Sequence, residues 1–262
     1  MSGWNITKYQ DENSKKELLL DFKDAIFIEG LPGIGNVGKV VIDYLIESLD
    51  ATKIASFFSY DLPNSVFVTE NNLVELPSIE LYGLTYEGNS FLLLTGDAQP
   101  SLERSSYELT LELLSLAELQ DVKEIITLGG IGLNEMPDQP KIYCAANKEG
   151  ITKKYEDLGV NNEVYGVVGP IVGISGLLLG LSEKIDAVAL LGETFGHPMY
   201  IGLKEAKEML LVLDKLFSFK LDFSDLDEEI AAVQEEMQDK EPKKASKKLG
   251  KLIKYQDMSY IG

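Results

Sequence analysis

The residues most capable of chemistry stand together near the start of the chain: Glu29-Gly30-Leu31-Pro32-Gly33-Ile34-Gly35-Asn36-Val37-Gly38-Lys39. Gly33 to Gly38 fits G-x-G-x-x-G, and the pattern predicts a strand before it and a helix after it. That is the setting of a dinucleotide fingerprint, with Asp61 in the place of a ribose-binding acid. Leu31-Pro32 departs from it by separating strand from glycines. The same run nearly makes a phosphate loop, Gly33 to Gly38-Lys39, but Val40 stands where a hydroxyl should hold magnesium. Asp97 is the aspartate available to a second nucleotide motif. A third chemistry needs only backbone: free amides at a helix N-terminus hold an anion. Gly33, Gly35, Asn36, Gly38 and Lys39 are the candidates for such a loop. A fourth reading, which we prefer, gives the glycines a tight turn and close packing of helix on strand.

The second candidate is Glu193-Thr194-Phe195-Gly196-His197-Pro198, which sets the chain's one histidine beside a carboxylate. The two would make a general acid–base pair, joined by Glu135 or Asp138 if the fold brings them close. A lone histidine without a neighbouring nucleophile is more often structural. Cys144 is the only cysteine, so an internal disulfide and a cysteine-built zinc site are excluded. No clustered carboxylates suggest a metal. The expectation is a protein without cofactor, metal or catalytic residues.

Composition narrows the partners. The formal charge of −19 argues against nucleic acid and anionic lipid as general ligands, because both need a cationic footprint. It suits solubility and a basic protein partner. The polar N-terminus has no signal-peptide core, and no apolar run approaches the roughly 20 residues that span a bilayer. A cytoplasmic protein that does not meet the membrane is expected.

Elements that would position these groups follow from periodicity. Strands are predicted at residues 25–29, 53–58, 65–69, 73–76, 79–86, 91–94, 124–128, 164–168 and 187–191, and helices at 36–48, 102–119, 174–181 and 203–217. Glu87-Gly88-Asn89 marks a hairpin, and Ser101 is a candidate N-cap. Glycine clusters after Glu29, Leu128, Val168 and Leu191 gather at the carboxyl ends of strands, where such sheets bind ligands. The fold class is α/β: three αβα layers around a central mixed sheet. Residues 1–220 form the core domain and residues 221–262 a charged extension.

In that extension, residues 225–239 carry seven acids and no base, and residues 240–254 seven lysines and one acid. Pro242 breaks any helix crossing the boundary. The two blocks would suit a solvated tail, or pairing between subunits. Asp257-Met258-Ser259-Tyr260-Ile261-Gly262 then turns apolar again, as a tethered docking tip would.

Taken together, several motifs resemble the archaeal branch of the proteasome assembly chaperone family. They are the 29–39 run, Leu94-Thr95-Gly96-Asp97-Ala98-Gln99-Pro100, Leu128-Gly129-Gly130-Ile131-Gly132, Gly169-Pro170-Ile171-Val172-Gly173-Ile174-Ser175-Gly176-Leu177 and Leu191-Gly192-Glu193-Thr194. The likeness covers about residues 20 to 220, in order. It implies a phosphorylase/hydrolase-like α/β core, homo-oligomers, no catalysis, and binding to proteasome α-subunits. Some members dock a C-terminal hydrophobic–tyrosine–any tripeptide between neighbouring α-subunits. Here Tyr260 sits one place early, a shift of about 3 Å along an extended chain. Met258, Tyr260, Ile261 and Gly262 are the expected partner-binding residues.

Overall fold

The computed structural model describes residues 3–10, 15–69 and 71–238. In chain order the elements are β1 (Asn5–Lys8), β2 (Ile26–Glu29), α1 (Val37–Ser48), β3 (Thr52–Phe58), β4 (Phe67–Val68), β5 (Val74–Glu75), β6 (Ile79–Tyr86) and β7 (Asn89–Gly96). There follow α2 (Glu103–Leu119), β8 (Glu124–Leu133), β9 (Ile142–Ala146), α3 (Lys153–Glu156), α4 (Ile174–Leu181), β10 (Asp186–Phe195), α5 (Leu203–Phe217) and α6 (Ser224–Gln238).

Eight strands form one mixed sheet in the order β1-β3-β6-β7-β2-β8-β10-β9. The middle four, β7, β2, β8 and β10, run parallel, while the strands added on both sides are antiparallel. Burial on both faces follows from alternation. On β2, Phe27 joins the cluster under α2 and α4, and Ile28 joins the cluster under α1 and α5. On β7, Leu92 and Leu94 take the first side, Phe91 and Leu93 the second. The three layers are those expected.

Several elements differ from the sequence expectation, each for a physical reason. β8 and β10 do not stop at their glycines. They stay in parallel register from Glu124↔Asp186 to Leu133↔Phe195, because a glycine in a ladder still pairs through its backbone. Residues 65–69 and 73–76 do not enter the main sheet; β4 and β5 pair only with each other. Residues 164–168 are a turn, with the Val167 and Val168 amides both donating to the Val164 carbonyl. The predicted cap at Ser101 is replaced by Leu102, with no side-chain hydrogen bond. The hairpin at Glu87-Gly88 forms as expected. Its two central residues have φ of 47° and 81°, the paired positive values a two-residue turn of matching twist requires.

The first part of the charged extension lies against the core. Leu226 of α6 is fully buried, and Phe223 stacks on Tyr44 of α1 with ring centroids 6.0 Å apart. The Tyr86 hydroxyl donates to the Phe219 carbonyl at 2.7 Å, tying the α5–α6 connection to the β6–β7 hairpin. α6 therefore buries a stripe that includes Leu226 and Glu229, while Asp225, Asp227 and Glu228 are exposed.

Candidate functional site

β2 sits where strand order reverses: the chain adds β7 on one side of it and β8 on the other. Such a switch leaves a crevice beyond the carboxyl ends of the strands. Here it is a cavity of about 970 Å³ between the turn after β2, the start of α2 and the loop leading into α4. Its lining is mostly apolar, with Leu31, Ile34, Leu128, Ile131, Ile171 and Leu191 among the residues exposed to it. Glu103 is the only charged side chain in that lining.

The glycines of the 29–39 run are placed by contact. A Cβ on Gly30 would lie 2.2 Å from the Gly38 carbonyl oxygen, and one on Gly38 would lie 2.4 Å from that of Leu128. The first turn of α1 thus rests backbone-to-backbone on β2 and β8. Gly35 and Asn36 both take left-handed backbone, φ 61° and 49°, to turn the chain into the helix. Gly33 and Gly38 line the cavity; Gly35, Asn36 and Lys39 do not. The Lys39 ammonium pairs with Asp43 at 2.8 Å, and Asp43 also accepts the Thr95 hydroxyl at 2.6 Å. Asp97 accepts from the Ser78 amide and hydroxyl, and burial raises its pKa. Both groups meant for nucleotide chemistry are thus engaged within the fold.

Two polar residues organise this edge. Gln99 spans two loops: its amide donates to the Pro32 carbonyl at 2.8 Å, and its oxygen accepts the Ile174 amide at 3.1 Å. Sequence reading passed over Gln99 as chemistry, though it stands in one of the family-like motifs. Glu29, at the end of β2, is fully buried and accepts the Leu31 amide at 3.0 Å. Loss of hydration pushes its pKa up to about 7 against the opposing Leu31 amide and Ser175 hydroxyl, and its Oε2 has no partner at hydrogen-bond distance. A carboxyl that is half protonated near neutrality is the residue sequence reading missed here. Only its place at the end of an apolar strand hinted at it.

The histidine region takes a structural form. His197 Nδ1 accepts the Met199 amide at 3.2 Å, and the ring stacks on Phe195. The Glu193 carboxylate accepts the Tyr143 hydroxyl and the Lys141 amide, each at 3.1 Å. Cys144 is buried, and its thiol is pushed up to about 11 by loss of hydration, with Glu156 adding to it. Among the described residues no histidine, cysteine and carboxylate group has the arrangement of a metal site, and no helix is long and apolar enough to cross a membrane.

The described residues include several exposed apolar side chains, and one hairpin gathers a cluster of them. The β4–β5 hairpin carries Val66, Val68, Leu73, Val74 and Leu76, each more than half exposed. The expected docking tip, Met258, Tyr260, Ile261 and Gly262, lies outside the described residues.

Comparison with known proteins places this architecture. The crystal structure of PbaB from Pyrococcus furiosus, described as an archaeal proteasome activator, is similar over 91% of this chain and 98% of its own, with a TM-score of 0.79 and 30% identity. PbaA from the same organism, described as an archaeal homologue of proteasome-assembly chaperone, matches over 90% of both chains with a TM-score of 0.73 and 24% identity. An uncharacterised protein of Methanocaldococcus jannaschii is 28% identical over 207 residues, 78% of each chain. The PAC2 family model matches residues 27–241, most of the length, and the chain belongs to the PAC2 family.

Proposed function

We propose that this chain is a proteasome assembly chaperone that binds α-subunits of the core particle through its C-terminal residues, working in the cytoplasm as a homo-oligomer without catalysis or cofactor. The observation that carries this reading is the likeness to PbaB and PbaA across nine-tenths of the chain, since both are described by a relation to the proteasome. Met258, Tyr260, Ile261 and Gly262 are the docking tip. A tyrosine ring half-buried in a groove and an aliphatic neighbour supply apolar contact and one hydroxyl. Several tips on one oligomer raise each other's local concentration, so weak single contacts sum to firm capture. The exposed apolar hairpin around β4 and β5 is the surface we assign to subunit contact, because a patch of that kind favours a protein neighbour over water.

The PbaB likeness favours a second reading, in which the assembled particle and not the free subunit is the partner. Pull-downs against isolated α-subunits and against complete core particles separate the two. Capture of free α-subunits supports the chaperone; capture of complete particles alone supports the activator; capture of neither removes both.

The crevice favours a third, a small-molecule site for nucleotide or phosphate. Such an anion would meet backbone amides and Glu103 there, without a cationic side chain. Thermal shift with nucleotides, nucleosides and phosphate tests it, and a clear rise in Tm would bring this reading forward.

A further inference from the structure

Strand direction brings two apolar features to one edge of the sheet. β3 runs the same way as β2, by way of β6 and β7, so the chain leaving β3 emerges on the edge where the crevice opens. Both ends of the excursion that carries the β4–β5 hairpin are tied to the loop between β7 and α2. The Asp97 amide donates to the Ser78 carbonyl at 2.9 Å, and the Ser101 amide to the Asp61 carbonyl at 2.8 Å. The same loop lines the crevice through Gln99, Pro100 and Ser101.

Alternation gives the hairpin two unlike faces. Phe67 pairs with Glu75, and Val68 with Val74. Phe67 is buried, while Val66 and Leu76 lie next to that pair along the chain and so share the other face with Val68 and Val74. These four are each 51–65% exposed. A two-stranded hairpin is marginal in water by itself, so a neighbour on that face would stabilise it. The crevice has the same character. At its mouth Ile34, Tyr107, Val167 and Val172 are each about half exposed or more, and Glu103 is the one charge in its lining. Residues 65–77 hold two glutamates and no base, and Glu75 stands on the Phe67 face, away from the aliphatic one. With no cation on either side, apolar contact is what can join them.

Area decides the arrangement. A fully exposed valine or leucine side chain carries about 60–120 Å² of apolar surface, from its transfer free energy at about 25 cal/mol per Å². Four of them at their observed exposure offer about 200 Å², so one insertion hides about 400 Å² on both sides together. Two insertions about a two-fold axis hide about 800 Å², and Leu73 with the crevice mouth brings this near the roughly 1,000 Å² that a specific interface needs. Placement agrees. Hairpin and crevice share one edge, so bringing the first to a partner's crevice brings that partner's hairpin back, the self-complementary contact of a two-fold pair.

We propose that the aliphatic face of the β4–β5 hairpin docks into the crevice of a second copy of this chain, whose own hairpin returns into the first. The inference rests on the assignment of this hairpin to subunit contact and adds what the hairpin enters. The crevice is then a subunit socket.

The test cross-links two full-length variants with a short bifunctional maleimide. One carries Val74→Cys on the hairpin face, the other Val172→Cys at the crevice mouth; Cys144 is buried and does not compete. The mixture should give a two-chain product at least about tenfold faster than either variant alone, because docking holds the two thiols at high effective concentration. Raising salt to 1 M, where the screening length is about 3 Å, should speed the reaction by relieving repulsion between two chains of charge −19. A slower reaction in salt would mark a contact between opposite charges and overturn the proposal. If Val74→Cys alone links as fast as the mixture, hairpin meets hairpin: the docking fails and the subunit-contact assignment stands. No linkage in any of the three overturns both. A chain carrying both cysteines should stop at two chains, and a ladder beyond two overturns the two-fold arrangement. Val68→Asp gives a readout without cysteine. It should loosen self-association in sedimentation at least about tenfold, the effect of one buried aliphatic side chain. Unchanged association also overturns the proposal.

Discussion

Residues 30–38 and residues 166–169 are both glycine-marked loops over the same crevice, yet they obey different constraints. In the first, Gly30 and Gly38 stand where any side chain would strike a neighbouring carbonyl. In the second, a Cβ on Gly166 or Gly169 would meet nothing within 4 Å. Glycine thus records close packing at Gly30 and Gly38, left-handed backbone at Gly166 with φ 82°, and open space at Gly169. Neither loop brings a cationic side chain to the crevice lining.

The largest effect expected from breaking this contrast is at Gly38. Alanine normally stabilises a helix position by about 1 kcal/mol relative to glycine. Here Gly38→Ala must push α1 off β8 and should cost about 3 kcal/mol, lowering Tm by roughly 6–12 °C. An unchanged Tm would show that the first turn of α1 does not rest on β8 as described.

The next effect belongs to the carboxyl under that turn. Glu29 has a native pKa of about 7 against an ordinary value of 4.5, so the folded protein holds this proton more tightly than the unfolded chain. Its penalty is absent below the unfolded value, grows as pH rises and is complete above 7. Glu29→Gln removes the charge. Denaturant titrations should show the variant gaining about 3 kcal/mol on the native sequence between pH 4.5 and pH 8. A constant difference across that range would deny the raised pKa.

How much of this was legible in sequence depends on what signal each element carried. α5 was read at its observed bounds because Leu203, Ala206, Met209, Leu210 and Leu213 repeat at helical spacing and are all buried. β1 was missed: its four residues are all exposed, so no apolar alternation marks it. β9 was missed because Cys144, Ala145 and Ala146 are small and short of a strand signature, though the ladder to β10 holds them. The glycines of β8 and β10 were read as strand ends because sequence shows a breaker where the backbone only shows pairing. At the site, the 29–39 run was legible as a turn into a helix. Its depth was not, since the contacts of Gly30 and Gly38 join segments up to 90 residues apart.

Smaller effects sharpen the account further. Lys39→Ala should cost about 1 kcal/mol by leaving Asp43 with only the Thr95 hydroxyl, a partly buried pair lost and nothing more. A nucleotide-induced Tm shift that disappears in this variant would instead make Lys39 a ligand-binding group. Smallest of all is Gly169→Ala, which meets open space and should stay within about 0.5 kcal/mol of the native stability. A large loss there would mean that the outer loop is packed by a subunit neighbour.

The central claim is that the body carries and the chain end binds. The direct measurement compares the full chain with one ending at Gln238 for affinity to α-subunits by sedimentation, with Tm recorded for both. The account predicts that affinity falls by at least about 100-fold, the range that linked contacts supply, while Tm stays where it was. Equal affinity of the two chains would place the binding surface on the α/β body and contradict it.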